Sequence, residues 1–70
     1  MRHKSVDSSL IASVAYDQRT SVLEIRFTNG RLYRYLMVPR DIHERLMSSS
    51  SKGRFFMDEI EPRFPAVDPE

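Results

Sequence analysis

Residues 22–28 read as a strand, in which apolar and polar side chains alternate without a break from Leu23 to Thr28. Leu23, Ile25 and Phe27 fall on one side, Glu24, Arg26 and Thr28 on the other. A period of two is the mark of a strand with one buried face. Asn29-Gly30 follows directly, the strongest short-range hairpin signal. The chain is thereby committed to an antiparallel pair, with the second strand over residues 31–37.

The loop decides where the tyrosines point, because a slip of one residue turns every side chain to the other face. A two-residue loop at Asn29-Gly30 would pair Ile25 with Arg34 and bring an arginine among the apolar side chains. A three-residue loop, with Gly30 left-handed, would pair Ile25 with Tyr33 and Leu23 with Tyr35. It would also set Glu24 opposite Arg34, a cross-strand ion pair worth roughly 0.2–1 kcal/mol. The second register is the better reading. It places Leu23, Ile25, Phe27, Tyr33, Tyr35 and Met37 on one face and leaves Val22, Leu32 and Leu36 beside Arg26 and Arg34 on the other.

Upstream, residues 10–17 (LIASVAYD) read as a further strand, with Ala12, Val14 and Tyr16 on one face, ended by the polar turn 18–21. Downstream, Val38-Pro39 closes the sheet, since the residue before proline is driven to extended geometry and proline suits the start of a helix. Residues 39–49 then read as a helix that buries Ile42 and Leu46, with Ser49 or Met47 completing the stripe. Asp41 and Arg45 stand at i, i+4 spacing. After the serine run 48–51, Ser51 is placed to cap a second helix over residues 54–61, carrying Phe55, Phe56 and Ile60. Pro62 stops it.

The expected architecture is α+β: a three-stranded antiparallel β-meander followed by two helices packed on one face. Residues 8–61 form the domain, residues 1–7 a flexible start and residues 62–70 a flexible, acidic, proline-containing tail. The expected core is Val14, Leu23, Ile25, Phe27, Tyr33, Tyr35, Ile42, Leu46, Phe55 and Ile60. At 70 residues there is room for one domain only.

Composition narrows the function classes. Without cysteine there are no disulfides and no thiolate metal sites. No apolar run approaches the roughly 20 residues needed to cross a bilayer, so no membrane partner is expected, and the polar N-terminus points to a cytoplasmic protein. Net charge is only +1, but it is unevenly spread. Residues 11–57 are basic and residues 58–70 acidic, so the body attracts polyanions and the tail can fold back over it. His3 and His43 lie far apart, and Asp58, Glu59 and Glu61 lack the spacing of a metal cage. No serine sits in a nucleophile elbow. An enzyme is not expected, and no cofactor is implied.

Tyr16-Asp17, Leu23-x-Ile25-x-Phe27, Gly30, Tyr33-x-Tyr35, Val38-Pro39, Ser51-x-Gly53-x-Phe55 and Ile60 together resemble the KTSC domain, over roughly residues 8–64. That family takes its name from the C-terminus of some lysyl-tRNA synthetases and also occurs as a small stand-alone bacterial protein. The resemblance implies no catalytic residues. The synthetase fusion suggests RNA as a partner, an argument from context alone.

Two sets of residues are candidates for holding an anion or nucleic acid. Arg26, Arg31 and Arg34 lie near Tyr33 and Tyr35, the composition of a sheet that stacks bases and neutralises phosphates, although the preferred register sets both tyrosines with Leu23 and Ile25 as core residues, leaving the arginines to hold RNA. Lys52, Gly53 and Arg54 open the second helix, where Gly53 would let a phosphate approach; the plain reading is a helix-to-helix turn. The alternative function is a protein-interaction or dimerising module, using the half-apolar sheet face or the Pro62-Arg63-Phe64-Pro65 segment.

Overall fold

The computed structural model describes residues 1–70 and shows a small α+β domain with an antiparallel sheet and two helices. The sheet has five strands rather than three: β1 (Lys4–Ser5), β2 (Ile11–Asp17), β3 (Val22–Phe27), β4 (Leu32–Tyr35) and β5 (Ala66–Val67), hydrogen-bonded in chain order. The two extra strands come from the segments expected to be flexible. Each is two residues long and lies at a sheet edge, below the length at which alternation can be read. No helix is long and apolar enough to cross a membrane.

The hairpin has the three-residue loop. Leu23 faces Tyr35, Glu24 faces Arg34 and Ile25 faces Tyr33. Gly30 takes φ +93°, a left-handed conformation that only glycine adopts without strain. The Phe27 N–H donates to the Arg31 carbonyl at 2.8 Å, closing the loop.

In β2 the pairing slips by one residue. Ile11 faces Phe27 and Ser13 faces Arg26, so Ala12 is the extra residue of a bulge. The bulge turns Ile11 to the same side as Val14, and both are buried. Simple alternation had put Ile11 on the opposite face.

Strand β4 ends earlier than expected. Met37 has φ 58° and is 70% exposed, so it leaves the core face. The turn presents Val38 instead, fully buried, with its N–H donated to the Ser21 carbonyl at 2.9 Å.

Helix α1 spans Arg40–Ser48, with Pro39 extended at its N-cap and Ile42 and Leu46 buried. The expected Asp41–Arg45 pair is not made. Arg40 pairs with Glu44 at 3.4 Å, and the Arg45 guanidinium lies 5.3 Å over the Phe55 ring. Helix α2 is a single turn, Lys52–Phe55, continued by a π-helical turn over Phe56–Ile60. Ser51 is its N-cap residue, but its side chain makes no cap hydrogen bond; the Ser49 hydroxyl instead accepts from the Ser51 N–H.

The core joins Ile11, Val14, Leu23, Ile25, Phe27 and Tyr35 of the sheet to Val38, Ile42, Leu46, Phe56 and Ile60. Phe56, not Phe55, is the buried phenylalanine of the second helix. The wider π turn brings Phe56 and Ile60 inward together and leaves Phe55 at the margin beside Arg45. Tyr33, expected in the core, is half-buried and packs against its edge.

Candidate nucleic-acid interface

On the sheet face away from the helices, the arginines are engaged. The buried Glu24 carboxylate accepts from Arg34 Nε at 2.5 Å and bonds His3 Nε2 at 2.6 Å. His3 Nδ1 lies 2.7 Å from Ser13 Oγ. Arg26 donates to the Gly30 carbonyl at 2.7 Å and reaches Glu70 at 3.4 Å. His3, placed in a loose start by the sequence, therefore fastens β1 to the sheet. The Ser13–His3–Glu24 chain of hydrogen bonds thus ties the N-terminal segment to β2 and β3.

Burial alone would push the Glu24 carboxyl up. The hydrogen bonds and charges of Arg34 and His3 outweigh it and hold the group below its ordinary value of 4.5. A carboxyl depressed by folding contributes stability above its unfolded pKa and loses it as pH falls through the folded one. Chemical unfolding at a series of pH values from 7 down to 3 should show stability falling below about 4.5. Glu24→Gln should be less stable at pH 7 and show a shallower acid limb; an unchanged limb would mean that Glu24 is not the group responsible.

Arg31 does not join Arg26 and Arg34. Its Nη1 donates to the Tyr33 hydroxyl at 2.8 Å, which places it on the helix side of the hairpin. Tyr33 meets Phe27 edge-on at 6.0 Å. Both rings line an open cleft of about 580 Å³, together with Tyr35, Phe56, Phe64 and Glu61. The tyrosines thus divide the two roles that the sequence left open: Tyr35 is 5% exposed and belongs to the core, whereas Tyr33 presents part of its ring to the cleft.

A second groove, about 740 Å³, runs between the turn before β2 and the start of α2. Serines 8, 9, 50 and 51 line it with Lys52, Gly53 and Arg54, and Asp7 and Asp58 stand at its walls. Lys52 Nζ donates to the Ser49 carbonyl at 3.0 Å, and neither Lys52 nor Arg54 forms an ion pair. A Cβ on Gly53 would meet Leu10 Cβ at 3.4 Å, an ordinary van der Waals contact, so α2 runs beside the chain before β2 with Gly53 in the groove wall between them.

Leu10 and Met57 are common to both depressions. The basic serine groove and the aromatic cleft therefore form one continuous surface, with Arg31 and Tyr33 at one end and Lys52 and Arg54 at the other. The Ser8–Leu10 turn that joins them was not apparent in the sequence. Its signal was Ser8, whose hydroxyl accepts from the Leu10 and Ile11 N–H groups. His43 is half-buried and stacks on Tyr16 with ring centroids 4.7 Å apart.

The KTSC domain family matches residues 7–64. A protein from Tsukamurella paurometabola is 40% identical over 62 residues, covering 89% of this chain and 92% of its own length. The crystal structure of a KTSC domain protein from Yersinia pestis is 39% identical, covers 99% of this chain and 97% of that one, and superposes with a TM-score of 0.95. A lysine–tRNA ligase from Nostoc punctiforme is 36% identical over 58 residues, which are 83% of this chain and 10% of the ligase. With nearly its whole length matched in sequence and in fold, the chain belongs to the KTSC domain family.

Proposed function

We propose that this chain is a non-catalytic module that binds single-stranded RNA along the surface running from Arg31 and Tyr33 to Lys52 and Arg54. The observation that carries the reading is the placement of three cations that form no ion pair: Arg31, bonded to the hydroxyl of the cleft residue Tyr33, and Lys52 and Arg54 in the groove that adjoins the cleft. Single strands are held by such a combination, cations on the phosphates and rings against the bases. The presence of a matching segment within lysine–tRNA ligases, enzymes that act on an RNA, supports the same class of partner. Arg26 and Arg34 contribute less, because Glu70 and Glu24 already neutralise them.

Three phosphate contacts on a single strand give a slope of log K against log salt of about −2. Fluorescence anisotropy with a labelled octauridylate should therefore show affinity falling roughly 20-fold between 50 and 200 mM salt. A module that docks a protein through Val22, Leu32 and Leu36 would leave the RNA unbound at either salt, and that result would refute the RNA reading.

A further inference from the structure

The walls of the cleft are aliphatic and aromatic residues, two of them tyrosines, and Glu61 is the one charged residue among them. The π turn puts it there: the Glu61 N–H donates to the Phe56 carbonyl at 2.9 Å, an i to i+5 bond that stacks residue 61 over residue 56. Phe56 is itself a wall of the cleft, so the carboxylate stands at its edge. Burial first, then the Glu61 charge and Tyr33, push the neighbouring Tyr35 hydroxyl up to about 12, so Tyr35 keeps its proton. An ionised carboxylate offers only acceptors and demands donors from whatever lies on the rings.

Resting on the RNA reading above, we propose that the cleft accepts a guanine base, with its N1–H and N2–H groups donated to the Glu61 carboxylate. Guanine alone among the four bases presents two adjacent donors, which match the two carboxylate oxygens as a fork. Adenine and cytosine each offer one amino group. Uracil offers a single N–H flanked by two carbonyls that the carboxylate repels. A cationic ligand would also satisfy Glu61, but Arg31, bonded to the hydroxyl of the wall residue Tyr33, repels a cation and attracts the phosphate beside a base.

The test uses an octauridylate carrying guanine, inosine, adenine, cytosine or uracil at one central position, titrated into the whole chain at 50 mM salt. Guanine should bind about tenfold more tightly than uracil, with inosine, which lacks the 2-amino group, between them. Glu61→Gln should bring guanine and inosine to within about twofold of each other, because the second acceptor oxygen is gone. Glu61 is exposed, so the variant should keep its amide spectrum. Equal binding of all five oligonucleotides would overturn the base-reading role while leaving RNA binding intact. A guanine preference unchanged in Glu61→Gln would overturn the assignment to Glu61. Binding of none of them would overturn the RNA reading and this inference with it.

Discussion

Reversing both charges at Lys52 and Arg54 to glutamate should lower the affinity for single-stranded RNA by about 100-fold or more at 50 mM salt. Two of the three phosphate contacts are lost and two repulsions replace them. The salt slope should shrink from about −2 towards −0.7, the value for one remaining contact. Arg54 is exposed and Lys52 bonds only a backbone carbonyl, so the fold should survive the change. Arg26→Gln makes the comparison internal. Its guanidinium already faces Glu70, and its loss should change affinity by less than about threefold. If Arg26→Gln proved the more damaging, the interface would lie on the other face of the sheet.

The largest effect on stability should come from Phe56→Ala. Its ring meets Phe27 at 5.2 Å and Tyr35 at 5.4 Å, both edge-on, and it is 3% exposed. Truncating a buried phenylalanine costs about 3–5 kcal/mol. At about 0.05–0.15 kcal/mol per residue the whole domain holds roughly 4–10 kcal/mol, so the variant loses a large part of it. In a domain of this size the midpoint should drop by roughly 15–30 °C. Phe55→Ala, one residue away but at the margin under Arg45, should cost about 1 kcal/mol. Thermal unfolding of the two variants tests the π turn directly. A larger loss for Phe55→Ala would mean that residue 55 points inward, as an uninterrupted α-helix would allow.

Some of this was legible in the sequence because local chemistry and burial agree. The alternation along residues 22–28 with Gly30 specified the central hairpin down to its register, since the competing register would have placed Arg34 opposite Ile25, where Tyr33 now sits. Ile42 and Leu46 followed from helical spacing. Features that depend on one extra residue were not legible. The bulge at Ala12 and the π turn at Phe56 each shift a periodic pattern by a single position, which moved Ile11 into the core and exchanged Phe55 for Phe56. The edge strands are too short to carry a period at all. They are held by pairing with β2 and β4, extended by bonds from the Val6 N–H to the Ala12 carbonyl and from the Leu36 N–H to the Pro65 carbonyl.

The candidate surface shows the same division. Lys52 and Arg54 stand out in the sequence by residue type, and Tyr33 by its spacing from Tyr35. Their union through Leu10 and Met57 required the folded chain, because residues 10, 33 and 57 meet only there. Arg31 was grouped with Arg26 and Arg34 on sequence proximity alone. Two residues before Tyr33, it falls on the tyrosine side of the strand.

The decisive measurement is an amide-shift titration of isotope-labelled protein with a short single-stranded RNA at two salt concentrations. The account predicts saturable, salt-sensitive shifts at Arg31, Tyr33, Lys52, Gly53, Arg54, Met57 and Glu61, with the opposite face silent. Shifts confined to the face of Val22, Leu32 and Leu36, or no shifts at millimolar RNA, would contradict it.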